Sequence, residues 1–358
     1  MDKNKLIDIK SYFYDVTIEP PKQGQAWEDV NRIFSKNLID KARQSFLLGE
    51  GETTYVEDVV VFFSGGIKGK LFQNYVRYAL NSLYRGAKMV RDIIEDDMVI
   101  NRYLDVGCAY GGCPVAMAET HARECVGLEY DARLLVLANK LAKEKKLAHR
   151  VSFHNYDITK YDDVCNLGRF DLITCIDVLE HVLQPEAAII SLVKLMGKNS
   201  VLKVDIPNMY SFQQINSDPH HHLFGSILLS RPDAIKVFES EFPGNKRYTV
   251  GYFYPLEWYI DKFKNMGIFV EVMDKVIVSD DELLRTQTEM YRLFETLSKK
   301  VEEEKWPKWR VDLISDHVNR MISQVKIDAN SVKAGNLNSV AFQLRYSVPV
   351  HHLRCTNS

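Results

Sequence analysis

The stretch that decides the fold runs Tyr103-Leu104-Asp105-Val106-Gly107-Cys108-Ala109-Tyr110-Gly111-Gly112. Apolar residues at its start predict a buried strand, and this strand ends in an acid just before a glycine-rich turn. Glycines let the backbone adopt positive φ and approach a ligand closely, and a helix that follows presents unbonded N–H groups at its start. The stretch therefore predicts a binding site for a nucleotide or nucleoside cofactor at the end of this strand.

Two cofactors fit this turn, and the acid before the first glycine favours one of them. Gly107, Ala109 and Gly112 form a G-x-A-x-x-G variant of the dinucleotide fingerprint, and Glu129 follows at roughly 20 residues, where a ribose-binding acid is expected. Asp105, however, places a carboxylate where it repels the pyrophosphate of a dinucleotide and attracts the ammonium of an amino acid. The zwitterionic methionyl group of S-adenosylmethionine (SAM) fits this position better than two phosphates.

Three further predicted strands carry acids at or near their ends. These strands cover Cys125–Glu129, Val151–Ile158 and Phe170–Val182. Glu129 is placed to accept hydrogen bonds from both ribose hydroxyls, and Asp157, beside Ile158, is placed to accept one from the adenine amino group. Asp177 lies on the fourth strand. Acid-terminated strands that alternate with helices are far more specific for this cofactor than the glycine-rich turn alone.

On these motifs the chain resembles the class I SAM-dependent methyltransferases. The motifs that carry the resemblance are Asp105 to Gly111, Glu129, Asp157 and Asp177 to His181. The resemblance implies an α/β fold with a seven-stranded Rossmann-like sheet and helices on both faces, SAM as cofactor and S-adenosylhomocysteine as product. It implies cofactor contacts from Asp105, Gly107, Ala109, Gly111, Glu129, Asp157, Ile158 and Asp177. Ala109 departs from the glycine that many members carry there.

The chain is longer than this core requires. Residues 1–98 predict an N-terminal helical segment that either packs against the sheet or forms a lid over cofactor and acceptor. The resemblance implies that residues 99–358 form the methyltransferase domain. Two insertions interrupt that domain. The insertion at 209–251 starts at the carboxyl end of the fifth strand, which is the side of an open α/β sheet where ligands bind. The insertion at 279–336 predicts an antiparallel pair of helices, which either packs on the body or makes a homodimer.

The rest of the sheet follows from three shorter patterns. Val201–Asn208 predicts the fifth strand and Ile268–Val272 the sixth, with a helix at Pro255–Met266 between them. Apolar residues alternate with polar ones over Val340–Tyr346, which predicts the last strand.

The first insertion contains three adjacent histidines, His220, His221 and His222. Their side chains cannot all face one way on an extended chain, so at most two converge on one site. An unperturbed imidazole titrates near neutral pH, so we predict His220 as the general base for an acceptor hydroxyl, with His181 as the alternative. The competing interpretation is a solvated histidine cluster without a chemical role.

A metal site is the less favoured interpretation of the same residues. At the start of a helix, Asp177, Glu180 and His181 would share one face, and with a histidine of the first insertion they could hold a divalent ion. Small-RNA 2′-O-methyltransferases have a somewhat similar arrangement. The sequence Asp-x-x-Glu-His also occurs in many metal-free members, so we predict SAM as the cofactor and no metal ligand.

Composition narrows the classes of function. The net charge of −2 gives no general attraction to nucleic acid or to anionic membranes, and no apolar run has the length of a membrane span. Six scattered cysteines indicate reduced thiols and a cytoplasmic location. We predict methyl transfer to a small molecule, at a hydroxyl oxygen of a natural-product or sugar intermediate. The alternatives are an RNA methyltransferase and a non-catalytic SAM-binding module.

Overall fold

The computed structural model describes residues 78–79, 81–95, 98–243, 248–277 and 279–357. Residues 1–77, which make up most of the predicted N-terminal segment 1–98, lie outside the described residues. The choice between a packed helix and a lid for that segment therefore stays a prediction.

The described part of the chain forms a seven-stranded sheet in the order β3-β2-β1-β4-β5-β7-β6. The strands are β1 Arg102–Val106, β2 Glu124–Leu128, β3 Val151–His154, β4 Phe170–Ile176, β5 Met196–Pro207, β6 Ile268–Val272 and β7 Val350–Asn357. β2 pairs in parallel with β1 and with β3. β7 runs antiparallel to both of its neighbours, β5 and β6. The predicted α/β fold with a seven-stranded sheet is confirmed.

The chain divides into two compact units. The first unit comprises the described residues up to Asp157 together with Asn166–Ile173. Its helices are α1 Ser82–Ile93, α2 Gly112–Thr120 and α3 Ala132–Glu144. α1 packs tightly on the start of α2, because the Gly112 N–H donates to Ser82 Oγ at 3.0 Å. A Cβ atom at Gly86 would lie only 2.3 Å from the carbonyl carbon of Gly112, so no larger residue fits there without a shift.

The second unit comprises Ile158–Cys165 and the chain from Thr174 onward. Its helices are α4 Tyr161–Val164, α5 Pro185–Leu195, α6 Phe212–Asn216, α7 Arg231–Glu241, α8 Leu256–Lys264, α9 Asp280–Glu304, α10 Lys308–Lys333 and α11 Ser339–Tyr346. α8 and β6 match the predicted helix and sixth strand, since each lies within or on the expected bounds.

The two insertions share one hydrophobic core within the second unit. Buried side chains of α9 and α10, among them Met290, Ile314 and Val325, pack with Phe224 and Phe238 of the first insertion. The second insertion thus contains two helices, α9 and α10, and each contributes buried apolar side chains to this core. A homodimer through this pair stays a prediction.

The predicted last strand is wrong. Residues 339–346 form α11, in which Phe342, Gln343 and Tyr346 are buried on one helical face. Asn338 caps this helix, since its side chain accepts a hydrogen bond from the Val340 N–H at 2.7 Å. Of the alternating apolar residues only Phe342 and Tyr346 are buried, and their spacing of four residues fits one helical face as well as a strand. The true strand β7 begins only at Val350.

Within the described residues, no helix combines the length and the apolar character needed to cross a membrane. All six cysteines are free thiols, and Cys165 is the one that is not buried.

Candidate active site

The glycine-rich turn after β1 has the backbone conformation that its sequence predicts. Gly107, Ala109 and Gly111 have positive φ angles of 78°, 46° and 76°. Gly111 ends the turn in the left-handed region as the N-cap of α2. A Cβ atom at Gly111 would also lie 2.6 Å from the Phe153 ring, so both the backbone angle and the close packing require glycine there.

Two acids stand at the ends of neighbouring parallel strands. Asp105 is 5% exposed near the end of β1 and pairs in register with Gly127 of β2. Glu129 follows β2 directly, and its two carboxylate oxygens accept hydrogen bonds from the Ala109 N–H at 3.0 Å and the Asp131 N–H at 2.9 Å. Each oxygen keeps a second lone pair, so Glu129 can still accept from hydroxyl groups of a ligand.

The remaining predicted cofactor residues divide between the two units. Asp157 belongs to the first unit, with the glycine-rich turn and Glu129, whereas Ile158 and Asp177 belong to the second. The sequence analysis missed Asn155, whose side-chain amide donates to the carbonyl oxygens of Glu129 at 2.9 Å and Tyr130 at 2.7 Å. Asn155 fixes the backbone that presents the Glu129 carboxylate. Asn155 lies inside the predicted strand Val151–Ile158, whereas the observed strand ends at His154, so no sequence pattern indicated this role.

Residues 177–181 form a turn after β4, so the prediction that they begin a helix is wrong. Asp177 has a φ of 54°, which ends the strand, and α5 starts only at Pro185. The turn is closed by the His181 N–H, which donates to the Val178 carbonyl oxygen at 2.9 Å. Gly251 holds the turn from outside, since its N–H donates to the Glu180 carbonyl oxygen at 2.6 Å.

The turn nevertheless brings together three of the side chains that the sequence singled out, Glu180, His181 and His220. The Nε2 atoms of His181 and His220 are 3.0 Å apart. Glu180 Oε1 lies 3.6 Å from His220 Nε2 and 4.0 Å from His181 Nε2. His181 Nδ1 lies 3.0 Å from the Thr249 carbonyl oxygen, so this nitrogen carries the proton in the neutral ring and Nε2 has a free lone pair.

Burial dominates the electrostatics of this cluster. Glu180 is fully buried, and neither of its carboxylate oxygens has a hydrogen-bond partner among the described residues. Burial raises the pKa of Glu180 well above its usual range. Burial, with the charge of Glu180 second, raises the pKa of Asp177 to about 6. Burial lowers the pKa of His220, which favours its neutral form with a lone pair available to bind a proton or an ion.

The three adjacent histidines face different ways, and only His220 joins the cluster. His221 packs on the rings of Phe238 and Tyr248, at centroid distances of 4.6 Å and 5.1 Å. His222 has a φ of 58°, and its Nδ1 lies 3.3 Å from the Ser217 hydroxyl. The structure thus singles out His220 among the three.

Asp218 orders the loop that presents His220, a role that the sequence analysis missed. Its Oδ1 accepts from the N–H groups of His220 at 2.9 Å and His221 at 2.8 Å. Its Oδ2 accepts from the Leu223 N–H at 2.6 Å and the Ser226 hydroxyl at 3.0 Å. Asp218 is 2% exposed, so these four bonds compensate a carboxylate that has left water. An Asp-Pro pair before a loop predicts a turn, but it does not reveal four donors.

A cavity of about 560 Å³ opens elsewhere in the second unit. Its walls mix apolar, aromatic and basic side chains, namely Met209, Tyr210, Leu228, His317, Arg320, Met321, Gln324, Arg345 and Tyr346. Its volume falls in the range of about 300–1,000 Å³ that small-molecule sites have. Arg345 already pairs with Glu257 at 2.7 Å and with Asp328 at 3.2 Å, which offsets its charge.

Part of the chain matches a known protein family, and this part contains Asp105, Glu129, Glu180, His181 and His220. Residues 100–246 match the family model described as a methyltransferase domain. The chain is 33% identical over 88 residues to the chloroplastic tocopherol O-methyltransferase of Arabidopsis thaliana, covering 25% of each protein. It is 27% identical over 126 residues to the ubiquinone biosynthesis O-methyltransferase of Psychrobacter arcticus, covering 35% of this chain and 45% of that protein.

A third relative has a nitrogen acceptor in its name. The chain is 28% identical over 138 residues to norajmaline N-methyltransferase of Rauvolfia serpentina, covering 38% of this chain and 42% of that protein. The chain therefore spans less than half the length of each of these three relatives.

Proposed function

We propose that this chain, whose residues 100–246 match a methyltransferase-domain model, transfers a methyl group from SAM to a hydroxyl oxygen of a small molecule. The observation that carries the proposal is the pair of acids at the ends of β1 and β2, followed by the left-handed glycine turn. A buried Asp105 suits an ammonium group, and Glu129 suits a ribose diol. When bound, SAM supplies an electrophilic methyl group on a sulfonium.

The chain's own residues fit this cofactor better than a dinucleotide. The carboxylate of Asp105 is buried, so an approaching pyrophosphate would meet a negative charge that water screens poorly. Glu129 has one backbone donor on each oxygen and keeps one acceptor site on each for a hydroxyl pair. Cofactor contacts by Gly107, Ala109, Gly111, Asp157, Ile158 and Asp177 belong to the same proposal.

His220 and His181 are the proposed catalytic residues. The acceptor O–H bond must break as the O–CH₃ bond forms, and the proton must leave for a nearby group. Of the two rings, His181 offers an Nε2 lone pair because its Nδ1 is held by the Thr249 carbonyl oxygen. The lowered pKa of His220, caused by burial, also keeps that ring unprotonated near neutral pH.

The proposed acceptor is a small, partly apolar molecule such as a natural-product or sugar intermediate. Two of the relatives above are named for O-methylation, which supports a hydroxyl acceptor. The net charge of −2 supports a small molecule over RNA. A cytoplasmic location and the domain bounds 1–98 and 99–358 also remain proposals.

The experiment pairs calorimetry with product detection. SAM and S-adenosylhomocysteine should bind the chain and NAD should not, and Asp105→Asn should weaken SAM by about 1–3 kcal/mol, the cost of an unmatched charged partner. Mass spectrometry then follows S-adenosylhomocysteine with a catechol, a methyl glycoside and a short RNA as acceptors. His220→Ala should lower kcat by about 10²–10⁴ and leave SAM affinity unchanged.

Each other outcome contradicts a defined part of the proposal. NAD binding without SAM binding would refute the cofactor assignment. Product formed with the RNA alone would show an RNA methyltransferase, and SAM binding with no product from any acceptor would favour a non-catalytic module. Full activity in both His220→Ala and His181→Ala would remove the histidines from the chemistry.

A further inference from the structure

The cluster of Glu180, His181 and His220 cannot satisfy its polar atoms with protons alone. One proton between the two Nε2 atoms makes a single hydrogen bond at 3.0 Å. Glu180 Oε1 then lies 3.6 Å and 4.0 Å from the nearest nitrogens, which is beyond hydrogen-bond range. Protonating both rings on Nε2 would set two donors against each other. The two Nε2 atoms therefore share at most one proton, and Glu180 Oε1 is left without a donor in the part of the chain that the structure describes.

The three atoms have the spacing that a small cation requires. His181 Nε2, His220 Nε2 and Glu180 Oε1 form a triangle with sides of 3.0 Å, 3.6 Å and 4.0 Å. The point equidistant from the three corners lies inside this triangle, at its circumradius of about 2.1 Å from each atom. Bonds from zinc to nitrogen are about 2.0–2.1 Å long, and bonds to carboxylate oxygen about 2.0–2.2 Å.

A second feature fixes His181 in the orientation of a metal ligand. A histidine that binds a metal through one nitrogen usually donates the other N–H to a carbonyl or carboxylate oxygen. His181 Nδ1 lies 3.0 Å from the Thr249 carbonyl oxygen. The backbone after Thr249 is anchored in turn, because the Gly251 N–H donates to the Glu180 carbonyl oxygen at 2.6 Å. The carboxylate and the imidazole are thus held by the same segment.

We propose that Glu180, His181 and His220 bind a divalent transition-metal ion of the zinc type, with a coordination position left open. Two imidazoles and one carboxylate form a ligand set that suits zinc, and catalytic zinc sites keep three protein ligands and one open position. The sequence analysis favoured no metal because Asp-x-x-Glu-His also occurs in many metal-free methyltransferases. The turn points Glu180 and His181 at His220.

The ion defines the roles of the two histidines more closely. With the ion bound, both Nε2 atoms would be ligands rather than bases. The metal would lower the pKa of an acceptor hydroxyl at the open position, and the hydroxyl proton would pass to solvent. That step rests on the proposed methyl transfer. Binding of the ion does not rest on it.

The test measures metal binding directly. Chain stripped with a chelator is titrated with Zn²⁺ by calorimetry, and bound zinc is counted by elemental analysis after desalting. We expect one ion per chain. Glu180→Gln, which keeps the shape of the side chain, and His220→Ala should each weaken Zn²⁺ by about tenfold or more. His149→Ala removes an exposed histidine from the first unit and should bind as the wild type does.

Stability gives a readout that is independent of turnover. Zn²⁺ should raise the thermal unfolding midpoint of the wild type and of His149→Ala, but not that of Glu180→Gln. Wild-type chain that binds no zinc, or variants that bind it as tightly as the wild type, would overturn the proposal. If His220→Ala fails to fold, Glu180→Gln decides. SAM calorimetry on the stripped chain separates failure of the metal site from failure of the proposed function.

Discussion

Replacing Asp218 tests whether one buried carboxylate holds the loop that presents His220. Asp218→Ala removes the acceptor of four hydrogen bonds. The donors at His220 and His221 are partly buried, so water can replace the lost oxygen there. The Ser226 hydroxyl keeps a second acceptor, the Leu223 carbonyl oxygen at 3.1 Å. The buried Leu223 N–H keeps none.

These differences between the four donors determine how much stability Asp218→Ala should lose. One buried donor without a partner costs about 1–3 kcal/mol, and bonds to a charged acceptor contribute about 1.5–3 kcal/mol each before water replaces them. We therefore expect Asp218→Ala to lower the free energy of unfolding by about 2–4 kcal/mol. Asp218→Asn keeps the shape of the side chain but turns an NH₂ group toward two of the donors. We therefore expect it to lower the free energy of unfolding by at least half as much as Asp218→Ala does.

Urea unfolding followed by tryptophan fluorescence measures this loss. Trp258, Trp306 and Trp309 all belong to the second unit, so the signal reports largely on the unit that contains the loop. Asp261→Ala removes an exposed acid from α8 and serves as the matched control, with an expected change within about 0.5 kcal/mol. SAM affinity should hold, while Zn²⁺ affinity should fall with the loss of order around His220. An Asp218→Ala chain as stable as the control would refute the role of Asp218.

Two further predictions concern packing and pH. Gly86→Ala puts a Cβ atom 2.3 Å from a backbone carbon of α2, and should destabilise the chain by about 1–3 kcal/mol in thermal unfolding, unlike Lys88→Ala on the exposed face of α1. His352 is hydrogen-bonded to Asp205 at 2.8 Å, and this bond raises the pKa of the histidine. Because the folded pKa is the higher one, the stabilisation is fully present below the unfolded pKa of about 6.5 and is lost as pH rises through the folded value. The wild type should thus exceed His352→Gln in stability at about pH 5.5 by more than at about pH 8.5, and an equal difference at both pH values would contradict this.

The cofactor end of the fold was predictable because its signals are local. A buried strand, an acid and a glycine-rich turn stand within ten consecutive residues, and Glu129 follows the next strand. Each of these features depends on neighbouring residues, which is the range that periodicity and turn preferences report. The structure places Asp105 in β1 and Gly111 in the turn, as the sequence predicts, and Glu129 one residue beyond the end of β2 rather than on it.

The histidine cluster was only partly predictable because it depends on distant contacts. His181 and His220 are 39 residues apart in sequence, and no local pattern reports that their rings meet. Their contact depends on Asp218, which folds one loop, and on Gly251, which holds the Glu180 turn. The residue types were noticed, but the helical spacing assumed for residues 177–181 was wrong.

Asp218 and Glu180 show how a buried carboxylate separates structure from chemistry. Both are almost without exposure, so both lose the hydration of a charged group. For Asp218, four hydrogen bonds from protein donors replace that hydration. Neither oxygen of Glu180 has a hydrogen-bond partner among the described residues. A buried carboxylate without hydrogen-bond donors destabilises the folded chain when it is ionised. Burial therefore raises the pKa of Glu180. Folding alone gives no reason for Glu180, because a glutamine or an apolar residue would cost less there. The carboxylate is explained by a cation that binds beside it, and for this reason Glu180→Gln should stabilise the metal-free chain while it weakens zinc binding.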